Sequence, residues 1–285
     1  NFVFYNPEHH QKIITLLEQK KPAAILSATS RNASLAGGVY PFPLIEDGDF
    51  DIPSVYLTED EGQKLTSLMG RKALLVSRCM RVPGIGYNVV GKSGKSSWDR
   101  IVITAHIDAK MGTPGAIDNA TGVIILMLLA ELLQDYSEKT RIELVAFNGE
   151  DYYAAPGQMI YLDQNQNLFG DILLNINIDG AGYFQGGSAF SFFDLQDKTK
   201  MKINDILVNF EGIAEGIQWI QGDHSIFIQQ GVPAIAVSSS WFIDHIDEQE
   251  ITHTSKDNPG IVDCDKVVEI AEAINLIIRQ RAYQR

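Results

Sequence analysis

Residues 101–133 read IVITA-HIDAKMGTPGAIDNATG-VIILMLLAELL, and this stretch decides the fold. A β-branched apolar run ends at His106. A loop bearing Gly and Pro follows, with Asp108 and Asp118 in it. Eleven residues then come that are apolar except for Glu131. The first run has the composition of a buried strand, and the last has the length of a buried helix. A strand buried on both faces and followed by a crossover helix is the unit of a parallel sheet clothed by helices.

Working outward, the same alternation recurs. DRIVITA, TRIELVAF, LLNINI and VPAIAVS read as strands. NATGVIILMLLAELLQDY, DKTKMKINDILVNFEG and CDKVVEIAEAINLIIRQRAYQ read as helices. The pattern predicts an α/β fold for residues 84–285, a three-layer α/β/α sandwich with a mostly parallel central sheet. The boundary falls at the turn RVPGIG, residues 81–86. Upstream, residues 1–83 read as a smaller domain. It holds a strand at NFVFY, an amphipathic helix at PEHHQKIITLLEQKK, a strand at AAILSAT and a Gly/Pro-rich passage. A helix capped by Thr58 and a strand at KALLVSRCM close it.

Composition narrows the function classes. Hydrophobic residues make up 45% of the 285 and charged ones 21%, within the globular range. The longest unbroken apolar run, VIILMLLA, is far below the ~18 residues of a membrane span, so a soluble chain is expected. No basic-then-apolar leader opens the sequence, which leaves the compartment unknown; a secreted or cell-envelope origin fits if a leader was removed. Against 23 Lys and Arg stand 36 Asp and Glu, a net charge of −13 that repels nucleic acid. Cys79 and Cys264 are too few for a disulfide framework or a thiolate zinc site. The sequons at Asn32 and Asn119 read as chance matches.

In open α/β sheets the functional crevice lies outside the carboxyl ends of the strands. Four strand ends deliver polar residues there: His106, then Glu150 and Asp151 in NGED, then Asp179 before GAG, and His253 in ITHTS. Asp118 arrives on the loop after the first strand. Taken singly, each has an ordinary structural job; Asp118, for instance, could cap the following helix. Together they form a set that one crevice can collect. Two imidazoles and three carboxylates suit zinc or a similar divalent ion, and can hold two ions if one carboxylate bridges. One further carboxylate must stay free to move protons. Asp108 is placed to turn back and orient the His106 imidazole.

With these residues assembled, the sequence resembles the co-catalytic zinc aminopeptidases of peptidase clan MH. That family includes bacterial leucyl aminopeptidases, glutamate carboxypeptidase II and the transferrin receptor ectodomain. The resemblance rests on the ordered motifs HID, PGAIDNATG, NGED, NIDGAG and THT, with GDHSIFIQQGVPAIAV as a sixth. It implies that His106 and Asp179 hold one metal and that Asp151 and His253 hold the other. Asp118 would bridge two Zn2+ ions, with cobalt or manganese able to replace them. It implies Glu150 as general acid and base. Many family members carry two Glu where this chain has Glu150 and Asp151. The oxyanion-stabilising Tyr of some relatives has Tyr152, Tyr153 and Tyr183 as candidates. Residues 1–83 resemble a protease-associated domain that starts at an inner strand, so further residues are expected upstream of Asn1.

Four activities share this resemblance: an aminopeptidase, a carboxypeptidase or dipeptidase, a single-zinc glutaminyl-cyclase-like transferase, and a non-catalytic receptor. All ligand positions are filled, which disfavours the last two. No Arg occurs between Arg141 and Arg279 to take a substrate carboxylate, although Lys256 could supply a cation. Acidic Asp179, Asp223 and Asp244 suit an incoming ammonium. Peptides with a free N-terminus are the expected substrates. Trp241 and Phe242 are candidates for an apolar pocket, and His245 reads as a surface residue.

Overall fold

The computed structural model describes residues 8–29, 52–76, 78, 83–95, 98–110, 112–151, 155–219, 221–246 and 249–283. Among them, the chain forms one seven-stranded sheet and, separately, a two-stranded one. The small sheet pairs β1 (Ile25–Thr29) with β2 (Ser54–Thr58) in parallel, Ile25 opposite Ser54. Helices α1 (Glu8–Lys20) and α2 (Glu59–Thr66) precede and follow these strands. Thr58 caps α2 as expected, its hydroxyl accepting from Glu61 N at 3.3 Å.

The large sheet has the order β3 (Val89–Ser93), β5 (Arg141–Phe147), β4 (Arg100–His106), β6 (Ile172–Ile178), β9 (Ala234–Ser239), β7 (Ser188–Phe193), β8 (Ile213–Glu215). The four central strands β5, β4, β6 and β9 run parallel, while β3 and β7 pair antiparallel to their inner neighbours. The sheet is thus mixed and mostly parallel, and its centre matches the four strands read from sequence. The chain passes from β4 outward to β5 and returns across β4 to β6. That reversal makes the carboxyl ends of β4 and β6 a topological switch point, where ligand crevices form.

Alternation along β4 sorts the core into two layers. Ile101, Ile103 and Ala105 face α3 (Thr121–Leu132) and the last helix, α8 (Cys264–Arg279); Val102 faces Tyr161, Phe169 and Phe227 on the other side. In α8 the buried residues Val267, Ile270, Ala271, Ile274, Ile277 and Ile278 recur at helical spacing, and Asp263 caps the first turn. Truncating a fully buried Ile such as Ile274 to Ala costs about 2–5 kcal/mol. At the start of α3, a Cβ on Gly122 would stand 2.9 Å from the Ile178 carbonyl oxygen, so helix and strand approach this closely only with glycine.

Two expectations need correction or lie elsewhere. The described residues of KALLVSRCM carry no strand: Leu74 and Val76 are exposed and no partner strand flanks them. The strand expected at NFVFY lies outside the described residues. No helix among the described residues is long and apolar enough to cross a membrane.

Candidate metal centre

His106 closes β4 with its ring buried. Its Nδ1 lies 3.0 Å from the Asp108 carbonyl oxygen, so a proton on Nδ1 donates there and Nε2 is aimed into the crevice. Asp108 therefore orients the imidazole chiefly through its backbone. The carboxylate, 3.8 Å from Nδ1, has another task. Its Oδ1 accepts from Gly149 N at 2.6 Å and Glu150 N at 3.1 Å, and its Oδ2 from Asp151 N at 3.0 Å. Asp108 thus binds the β4 loop to the turn that carries both acids.

Asp118 sits at the centre. Its Oδ1 is 3.0 Å from His106 Nε2 and its Oδ2 is 3.0 Å from His253 Nε2. Asp179, whose N–H continues the β6–β9 ladder by donating to the Val237 carbonyl, brings Oδ1 to 3.6 Å from His106 Nε2. Asp151 Oδ1 lies 2.9 Å from His253 Nε2. Two groups of possible metal donors result: His106, Asp118 and Asp179, and Asp118, Asp151 and His253. They share Asp118. A third overlapping set joins Asp108 to His106 and Asp151, but the Asp108 oxygens are taken by the three amides.

The local backbone explains how Asp118 reaches this position. Gly115 adopts φ +62°, and a Cβ there would meet Ala109 Cβ at 2.5 Å. The peptide between Asp118 and Asn119 is cis. Asn119 is buried, donates to the Ile178 carbonyl at 2.8 Å and accepts from Gly122 N, so this sequon is a structural amide. His253 itself has φ +61°, a strained conformation for a residue with a Cβ and one that clusters at functional sites.

The electrostatics are those of charges compressed out of water. Burial works against a charged His106, yet Asp179 and Asp118 outweigh it and hold its pKa well above the ordinary value. For His253 burial is again overcome, by Asp118 and Asp151, and the pKa is pushed up to about 10. Burial opposes ionisation of Asp118, but the two imidazoles win and lower its pKa. Glu150 is raised well above the carboxylate range by burial, with His106 opposing and Asp179, Asp223 and Asp151 adding to the rise. Asp223, fully buried and accepting from Gln158 Nε2 at 2.6 Å, is raised to about 7 by burial first. Asp151 Oδ2 is buried with no hydrogen bond. Imidazole nitrogen and carboxylate oxygen are donors that zinc accepts, and among the described residues the four acids Asp118, Asp151, Asp179 and Glu150 outnumber the two imidazoles and Lys110.

Other anticipated residues fall elsewhere. Tyr183 packs its ring 5.0 Å from Trp241 and 4.9 Å from Phe242, in a cluster with Ile117, the residue before Asp118. Tyr152 and Tyr153 lie outside the described residues, as does Cys79. His245 stacks on Trp241 at 4.3 Å and is no donor in the centre. Asp244 is exposed at the end of the short helix α7 (Ser240–Asp244), and none of the ion pairs among the described residues involves it. Lys256 is exposed and pairs with Glu250 at 2.9 Å. Two residues were not anticipated. Lys110 is buried, donates to the Asp151 carbonyl and stands 3.7 Å from Asp151 Oδ1. Asp257 is buried and accepts from Ile117 N and Asp118 N.

Two imidazoles and three carboxylates thus meet at the switch-point crevice, with Asp118 common to both donor groups. The pattern of Peptidase family M28 matches residues 88–278, and the chain belongs to that family. The aminopeptidase YwaD of Bacillus subtilis is 26% identical over 144 residues, 49% of this chain and 31% of that protein. The solved structure of BSAP, a zinc aminopeptidase from Bacillus subtilis, superposes with a TM-score of 0.69 at 16% identity, covering 98% of this chain and 67% of that one. A glutaminyl cyclase from Macrostomum lignano shares the fold with a TM-score of 0.57 at 18% identity, covering 70% of this chain and 72% of that one. The chain spans about a quarter to a third of the length of the curated relatives it matches.

Proposed function

We propose that this chain is a metal-dependent aminopeptidase that hydrolyses the N-terminal peptide bond with two zinc ions. The observation that carries the reading is Asp118, whose two oxygens each face a different imidazole at 3.0 Å. His106 and Asp179 would hold one ion and Asp151 and His253 the other, with Asp118 offering an oxygen to each. The ions supply electrophilic activation of the attacking water and of the scissile carbonyl.

Glu150 does the proton work. It takes a proton from the attacking water as the oxygen joins the carbonyl carbon. It then delivers that proton to the leaving nitrogen as the C–N bond breaks. Burial and the surrounding carboxylates raise its pKa, which strengthens it as a base toward the attacking water. Asp108 holds Glu150 through the amide contacts of the turn. A free α-ammonium suits a crevice walled by Asp179, Glu150 and Asp151, whereas a C-terminal carboxylate would meet repulsion. Lys110 does not reverse that balance, because its ammonium is directed at Asp151.

Residues 1–83 act in this reading as a separate protease-associated-like module over residues 84–285 that limits substrate length. The separate two-stranded sheet supports the division. Deleting residues 1–82 should raise cleavage of a decapeptide relative to a dipeptide; an unchanged ratio would sink the lid.

The activity is tested with aminoacyl anilides bearing a free or an acetylated amine, on zinc-loaded and chelated protein. Cleavage of the free-amine substrates alone, abolished by chelation and restored by zinc, is expected. Hydrolysis of acetylated substrates, or none at all by zinc-loaded protein, would overturn it.

A further inference from the structure

Asp257 is fully buried, yet among the described residues no basic side chain forms an ion pair with it. Its Oδ1 accepts from Ile117 N at 2.7 Å and its Oδ2 from Asp118 N at 3.1 Å, while its own carbonyl accepts from Ala116 N at 3.4 Å. One residue thus grips three successive amides of the loop that ends in Asp118. Asp257 also lies four positions after His253, in a turn closed by Asp257 N to the Thr254 carbonyl and by Thr254 Oγ1 to the Ile251 carbonyl. The left-handed conformation of His253 persists only if the surrounding chain holds it. Asp257 is where that chain is tied to the Asp118 loop.

We propose that Asp257 is a positioning residue: it locks the Asp118 loop to the His253 loop and thereby sets the separation of the two side chains across which the second cation is held. This rests on the reading of Asp118 and His253 as ligands. Burying an acid costs desolvation, and a neutral hydrogen-bonding side chain could cap one amide more cheaply. What only the carboxylate provides is two acceptor oxygens for two adjacent N–H groups, which fixes direction as well as distance. The Asp257 oxygens are consumed by this contact, so it stands behind the ligands and is not one of them.

The test measures zinc affinity by competition with a chromophoric chelator, and the thermal midpoint of the metal-free protein, for wild type, Asp257→Asn and Asp257→Glu. Asp257→Asn keeps one acceptor oxygen and protects against outright unfolding. Ile274→Val, in the core layer behind the sheet, serves as the control for general destabilisation. Loss of an oriented supporting contact weakens metal binding by about 10–100-fold. We expect a drop of that size at one of two zinc sites in Asp257→Asn, beyond any seen in Ile274→Val at a matched metal-free midpoint, with partial recovery in Asp257→Glu. Wild-type affinity at both sites in Asp257→Asn would overturn the positioning role, whether or not the midpoint falls. Failure of wild type to bind zinc would instead overturn the ligand assignment itself and the inference with it.

Discussion

His253 Nε2 stands 3.0 Å from Asp118 Oδ2, although one side chain comes from the loop after β9 and the other from the loop after β4. Without metal this contact is an imidazolium–carboxylate pair, since His253 is raised to about 10. Zinc needs the neutral imidazole, so binding at pH 7.5 must expel protons. Calorimetric titration with zinc should give heats that change with the buffer's ionisation enthalpy, and affinity should climb with pH up to about 10. The same raised value means the pair stabilises the metal-free fold fully below the ordinary 6.5 and loses that contribution as pH rises toward about 10. Buffer-independent heats would refute the proton-linked exchange.

Glu150→Gln separates proton transfer from metal holding. The amide keeps the shape and hydrogen-bonding capacity but cannot accept a proton from water. Turnover should fall about 10²–10⁴-fold, while zinc stoichiometry stays at the wild-type value. Atomic absorption on the dialysed variant checks the second half. Loss of zinc together with activity would mean that Glu150 holds metal.

The centre of the sheet and the polar residues at its carboxyl edge are legible because both rest on short-range pattern. Apolar runs marked β4, β5, β6 and β9, and the polar residues follow those runs directly. The edges were harder. β7, Ser188–Phe193, is buried at all six positions, so it shows no alternation, and β3 is mostly exposed with a Gly at its centre. Lys110 leaves no signal in the sequence, because lysines are almost never buried unless paired and its partner on the NGED turn is settled only by folding. Asp257 reads as a loop acid; nothing local reveals amides brought from the other side of the sequence. KALLVSRCM misled in the opposite sense, an apolar run without a neighbouring strand to make it β.

Asp108 carries a prediction about the turn. Asp108→Ala leaves Gly149, Glu150 and Asp151 N–H groups without their acceptor. At ~1–3 kcal/mol for each unsatisfied buried donor, with water reaching some of them, the loss should be about 2–5 kcal/mol in urea denaturation. Activity should drop at least about tenfold as Glu150 and Asp151 loosen together. Asp108→Asn, which keeps one acceptor oxygen, should fall between the two. A stability loss with unchanged turnover would show that the turn holds its acids by other means.

Asp223 offers a pH test at a buried acid that belongs to none of the donor groups, although the charges of His106 and Asp179 reach it. Buried and accepting one hydrogen bond from Gln158, it has a folded pKa of about 7 against an ordinary 3.8. A raised acid is protonated in the folded chain while the unfolded chain has already released its proton. Stability is therefore fully present below 3.8 and declines as pH climbs to about 7. At ~1.4 kcal/mol per tenfold, the ceiling on that decline is roughly 4 kcal/mol. Asp223→Asn keeps the oxygen that accepts from Gln158 and removes the ionisation. Relative to wild type, the metal-free variant should gain stability steadily between pH 4.5 and 7.5, read as a growing positive difference in Tm. A difference that stays flat across that range would mean that Asp223 is already ionised in the fold, and that a neighbouring donor stabilises its charge.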